Sequence, residues 1–169
     1  MLVAFNDDAE AALRGTSYAA SLGLGAGRFG LTATAGFVAL EEDRRRSTLG
    51  ALGTLHLYGD GVQAPLTLGL FGGFGWMPAS DGLDDALRHV PLGVSAALTL
   101  ATPLVSLRPW VAPRLDVAWV TDATTDRAEK LGFSGGVDLR FPGGLSLRAL
   151  GDYVDGGSPY VGVGAAYHF

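Results

Sequence analysis

Odd and even side chains of this sequence belong to two different populations. From Tyr18 onward apolar residues recur at every second position, and the positions between them hold mostly Gly, Ala, Ser and Thr. A period of two marks a β-strand with one greasy face. The final stretch shows it plainly: Val161, Val163, Ala165, Tyr167 and Phe169 alternate with Tyr160, Gly162, Gly164, Ala166 and His168. At about ten residues it has the length that a tilted strand needs to cross a bilayer.

Charge follows the same parity. On the strands so assigned, Arg108, Arg114, Asp116, Asp138, Arg140, Arg148 and Asp152 all fall on the second face, and the apolar face carries no charge. An arginine facing lipid at the bilayer midplane costs about 2–4 kcal/mol, so a lipid-exposed face should exclude it. A soluble two-sheet sandwich would turn the apolar faces inward and wet the others. Such a wet face is crowded with Lys, Glu and Thr, whereas this one is rich in Gly, Ala and Ser, as a narrow barrel interior should be. Charges inside must pair. The four arginines and three aspartates can do so, with His56, Tyr58, Tyr160 and His168 as polar partners.

Nine strand-like stretches can be counted from Ser17 onward, and Met1 to Phe5 reads as the end of a further strand whose beginning is missing. The expectation is an all-β, antiparallel, up-and-down barrel of about ten strand positions, bacterial barrels having even numbers. Eight is the alternative. The connections alternate between longer polar loops (6–16, 41–47, 77–89, 122–130, 155–158) and shorter turns (27–28, 60–61, 102–106, 142–144). Outer-membrane barrels show that alternation between extracellular loops and periplasmic turns. The loops carry an excess of acids, so the outer surface would be acidic. Leu107 to Thr121 contains Pro109 and Pro113, each of which removes a ladder hydrogen bond, and a bulge or a later strand start is expected there.

Composition points the same way. The chain has 169 residues, read as one domain spanning 1–169, with only 17% charged residues and 26 glycines. Soluble domains carry about a quarter charged residues. Without cysteine there is no disulfide framework, thiolate metal site or cysteine nucleophile, and a net charge of -5 argues against nucleic-acid binding. Helical membrane spans over 61–80 and 90–107 are disfavoured by Gly-Gly, by the prolines and by the residue-by-residue alternation. Met1 to Phe5 is too short and lacks the basic start of a secretory signal. For an exported protein, the chain then begins after processing or its true start lies upstream, while a cytosolic protein is the plain alternative.

The closing segment, with its aromatic last residue after alternating apolar positions, resembles the C-terminal strand of bacterial outer-membrane β-barrels. The resemblance implies a closed transmembrane barrel in the bacterial outer membrane, in contact with membrane lipid and lipopolysaccharide. It also implies recognition by the barrel assembly machinery, with Tyr167 and Phe169 as the signal. Phe37, Trp76, Trp119 and Tyr153 near the loop ends, and Phe29, Phe141 and Phe169 near the turn ends, would form the two aromatic girdles of such a barrel.

Activity is less legible. Gly23-Leu-Gly25 is followed by a strand rather than a helix, so it is no nucleotide fingerprint. His56, His89 and His168 lie on separate elements without a second ligand at useful spacing, so neither a metal nor a cofactor is expected. Omptin-type barrel proteases use paired aspartates with an Asp-His couple; here Asp84, Asp85 and His89 share one loop, but the opposing half of a site is not evident. Lipid A deacylases use His-x-Ser, which does not occur. The expectation is a non-enzymatic barrel with a mostly plugged, charge-paired interior, serving envelope structure or surface interaction. The alternative is a narrow channel for small solutes or ions lined by Arg108, Arg114, Arg140 and Arg148.

Overall fold

The structure, a computed structural model, describes residues 16–39, 45–59, 64–79, 86–121 and 126–168. They form one antiparallel sheet and contain no helix. In chain order the strands are β1 (Thr16–Ala26), β2 (Phe29–Ala39), β3 (Arg45–Tyr58), β4 (Leu66–Met77), β5 (Ala86–Leu98), the two-residue β6 (Leu100–Ala101), β7 (Ser106–Thr121), β8 (Asp126–Arg140), β9 (Leu145–Val154) and β10 (Tyr160–Tyr167). Each long strand pairs with the long strands before and after it, and β6 folds back onto the start of β7. This is an up-and-down meander, curled into an open half-barrel in which β1 and β10 are the free edges.

The curl separates the two side-chain populations. Leu22, Leu31, Leu70, Leu92, Val94, Leu131, Leu147 and Val163 stand exposed on the convex face. Leu52 and Ala112 (2% exposed each), with Phe71, are buried together on the concave face, and Trp110 packs against them. Glycine makes this inner packing possible where strands and side chains crowd. A Cβ at Gly136 would sit 3.0 Å from the Trp110 ring, and one at Gly93 would sit 2.7 Å from the Phe71 ring. Both are tighter than a packed interior allows.

The pairing register is strongly slanted. A convex-face row starts at Phe29, at the turn end of β2, and passes through Leu55, Leu70 and Val94. The flanking pairs Gly93–Arg114 and Ala96–Val111 set Val94 level with Pro113, from which the row runs through Phe133 to Tyr153, one residue from the loop end of β9. A hydrogen-bonded row that climbs from one rim to the other is the stagger that strand tilt produces in barrels. Tight turns follow the glycines: Gly27 (φ 56°) closes β1 to β2, and Gly143 (φ 86°) lies between β8 and β9.

Several boundaries differ from expectation. β3, β5 and β8 run further toward the loop side, so residues 45–47, 86–89 and 126–130 are strand, not loop. Their partners extend equally far, and the ladder continues past the apolar band into polar sequence. β4 begins at Leu66 rather than Val62, which makes the β3–β4 connection longer. Together these changes reduce the expected contrast between long loops and short turns. Both prolines of β7 lie inside the strand, opposite Val137 and Phe133 of β8. Met1 to Phe5, Asp60, Gly61, Asp84, Asp85 and Phe169, with the further strand, turn, protease residues and terminal aromatic inferred there, lie outside the described residues.

Candidate functional site

The concave face of β5 and β7 to β10 carries the charges, arranged as two clusters. The register explains both. Rows that cross β7, β8 and β9 bring Arg108, Asp138 and Arg148 side by side, and likewise Ala112, Ser134 and Asp152. Cross-strand neighbours on one face lie about 5 Å apart, close enough for these side chains to meet.

The loop-side cluster is built on Arg114. Its Nε donates to both oxygens of Asp116, at 2.9 and 2.8 Å. Its Nη1 and Nη2 donate to the two oxygens of Asp152, at 2.6 and 2.9 Å, and Nη1 also reaches the Ser134 hydroxyl. Ser134 in turn donates to Asp152, and His89 Nε2 lies 2.7 Å from Asp116 Oδ1. Both carboxylates are buried, Asp116 to 3% exposure. One planar fork thereby holds two carboxylates, a role lysine could not take. Gly132 leaves room for it, since a Cβ there would stand 2.5 Å from Asp116 Oδ2.

The turn-side cluster surrounds one acid with three bases. Asp138, 3% exposed, accepts from Arg148 Nε at 2.6 Å and Nη2 at 2.7 Å. The Arg148 guanidinium also lies 5.1 Å over the Trp110 ring, a cation–π contact. Arg108 and Arg140 flank the pair in the register. Among the described residues, Arg108 Nε, Arg140 Nε and Nη1, and Trp110 Nε1 are buried without a hydrogen-bond partner. His168 Nε2 lies 3.2 Å from Ser146 Oγ at the edge of this cluster.

Of the other polar side chains expected inside, Tyr160 shares a row with Asp152 on the concave side. His56 is part-buried beside Gly69, its Nδ1 lacking a partner among the described residues. Tyr58 departs from expectation. The pairing slips between His56 and Tyr58, a β-bulge that sets Tyr58 opposite the exposed Leu68 and leaves it 61% exposed on the convex face.

Three inner residues were not anticipated, one of them Lys130, which lies in a segment read as a loop and pairs opposite Asp116 on the concave side. Arg46, in a segment read as a loop, is buried at the start of β3, where its Nε donates to the Pro78 carbonyl at 3.2 Å. His89, likewise assigned to a loop, is part of β5 and of the Arg114 cluster. Its odd parity against Val90 and Leu92 was the available signal. Asp116 is thus its observed acidic partner.

The aromatics expected to form the girdles stand on the convex face. Tyr18 stacks on Phe37 with ring centroids 5.2 Å apart, and Arg45 lies 5.4 Å over Phe37. Near the loop side, one row reads Trp76, Arg88, Trp119, Arg127 across β4, β5, β7 and β8, alternating aromatic and cationic. Phe29, Phe141, Tyr153 and Tyr167 are exposed. Among the described residues no group of three His, Asp or Glu side chains could hold a metal ion. No protein-family model matches the chain, and no curated protein matches it.

Proposed function

We propose that the chain is an integral β-barrel of the bacterial outer membrane, closed through its two free edges, with an interior plugged by paired charges and a structural or surface-interaction role rather than an enzymatic one. The observation that carries this is the convex face. Leu, Val and Phe side chains stand exposed strand after strand, while the buried side of the same strands holds Arg46, Asp116, Asp138 and Asp152. The largest apolar patch on a soluble monomer covers about 300–600 Å². A face whose central band is apolar across all the long strands, with Arg45, Arg88, Arg127 and Glu129, among the described residues, only at its loop end, calls for hydrocarbon as its solvent. The slanted register supports closure, because a staggered sheet rolls up. Edge strands left open would also invite aggregation.

The Trp76–Arg88–Trp119–Arg127 row suits the loop-side headgroup boundary, aromatic rings at the interface and guanidiniums toward lipid or lipopolysaccharide phosphate. The free edge of β10, with Tyr167 near its end, is what the barrel assembly machinery would engage. A narrow channel is the second reading, favoured by a cavity of about 610 Å³ between β1 and the turn side of β8 to β10.

Refolding into detergent or lipid vesicles tests the first reading. An unboiled sample should migrate faster on a gel than a boiled one, and its strands should resist protease in vesicles. A monodisperse, detergent-free soluble protein would overturn it. Planar-bilayer recordings separate the two readings: steady openings lost in Arg148→Ala favour the channel, and silence favours the plug.

A further inference from the structure

We propose that the turn-side cluster is a binding site for a phosphate dianion, free or as a monoester. This goes beyond the barrel assignment, since the three arginines stay on the concave face whether or not β1 and β10 join. Three features converge. The first is charge: Arg108, Arg140 and Arg148 gather round Asp138, and no second acid among the described residues joins them there. The loop-side cluster, by contrast, sets two carboxylates on its single arginine. Buried charge is retained when it is paired, and a dianion supplies what the turn side lacks.

The second feature is unused donor capacity. Asp138 occupies Nε and Nη2 of Arg148, which leaves Nη1 for another acceptor. Arg140 Nε and Nη1 are buried without a partner among the described residues. Leaving such groups unsatisfied is costly, and a turn of the Arg140 side chain toward the cavity would give them an oxyanion, from which charged donors gain most. The third is space. The cavity of about 610 Å³ lies where the free edges of β1 and β10 face each other; Asp138, Arg140, Ser146, Arg148 and His168 line one side, and Ser17 to Ser21 of β1 the other. Its polar wall offers a phosphate group the guanidiniums of Arg140 and Arg148, with hydroxyl and imidazole groups around them and the Asp138 carboxylate as a competitor. The β1 wall adds hydroxyls and no acid. The volume left over would accommodate the alcohol part of an ester. A monovalent anion would cancel less of the excess charge.

The test uses the full chain refolded in detergent, with Trp76→Phe and Trp119→Phe leaving Trp110, which lies under Arg148, as the main fluorescent reporter. Inorganic phosphate, titrated against chloride at constant ionic strength, should change its emission saturably. Arg140→Gln should weaken the response at least about tenfold, the value of a charged hydrogen bond. Asp138→Asn, which removes the competing acid, should strengthen it. Phosphatidic acid in mixed micelles forms a second arm. If it displaces inorganic phosphate the physiological group is a lipid monoester, and if it does not the ligand is soluble; either result requires the same site. No saturable response to either phosphate source, or equal affinity in Arg140→Gln, would overturn the proposal. Should that variant fail to fold, ³¹P line broadening on the unsubstituted chain against Ser146→Ala decides in the same way. Heat-modifiable migration of the same samples reports on the barrel separately. A shift without phosphate binding sinks this site alone, and binding without a shift sinks the membrane reading alone.

Discussion

The loop-side and turn-side clusters use the same side chains on neighbouring strands, yet one sets two acids on a single arginine and the other sets three arginines about a single acid. Arg114 spends its fork on Asp116 and Asp152, and Ser134 and His89 take up further acceptor capacity of those carboxylates. On the turn side the ratio is inverted, and nitrogens of Arg108 and Arg140 stay buried without acceptors among the described residues. Buried ionic groups contribute to stability only when the geometry satisfies them; otherwise desolvation dominates. The first cluster therefore ties four strands together, and the second holds strain that a ligand can relieve. Structure and binding are in this way assigned to opposite ends of one concave face.

The comparison is most directly broken at Arg114. Arg114→Ala leaves two buried carboxylates without their cation, and removal of one partner from a buried pair costs about 3–5 kcal/mol. Urea titration of the folded fraction, followed by heat-modifiable migration, should show a large fall in midpoint. A loss below about 1 kcal/mol, typical of exposed pairs, would show that water reaches the cluster and that it is no plug.

A second effect concerns the room that glycine leaves. Gly132→Ala would set a methyl group 2.5 Å from Asp116 Oδ2 and 3.0 Å from Arg114 Cζ. Overpacking of this kind costs about 1–3 kcal/mol. Gly164 sits beside Arg148 in the pairing, on the turn side, and a Cβ there would meet nothing within 4 Å. Gly164→Ala should stay within about 0.5 kcal/mol of the parent. Equal midpoints for the two variants would contradict the tight fit claimed for the loop-side cluster.

The faces of the sheet were readable from the sequence because a period of two is local: each of Leu131, Phe133 and Val137 declares its side through its neighbours. Pairing inside the charge network was partly readable for the same reason, since parity placed Arg108, Arg114, Asp138 and Arg148 on one face. Which arginine holds which aspartate was not, because register depends on partners distant in the chain. Tyr58 was misplaced because one extra residue in β3 inverts parity and leaves no mark in the spacing of apolar residues. Arg46 and His89 were missed where the strands outrun the apolar band. Beyond that band both faces can be polar, alternation fades, and a strand reads as a loop. The same fading hid the Trp–Arg row, whose arginines Arg88 and Arg127 stand in segments read as loops.

The smallest effect has the opposite sign, and it separates the two clusters most sharply. Arg140 stands beside Asp138 together with Arg108 and Arg148, yet the acid's bidentate partner is Arg148 alone. Replacing it by methionine keeps much of the side-chain volume while removing a buried charge and donors that have no acceptor. Exchange of buried ionic groups for apolar ones of similar size is often neutral or stabilising. Arg140→Met should therefore raise the urea midpoint slightly, by up to about 1 kcal/mol in phosphate-free buffer. Added phosphate should stabilise the parent chain and leave the variant unchanged, because a ligand shifts unfolding only through the state that binds it. If Arg140→Met instead destabilises the chain as strongly as Arg114→Ala, Arg140 is structural, and the contrast between an acid-matched and an arginine-rich end of the concave face fails.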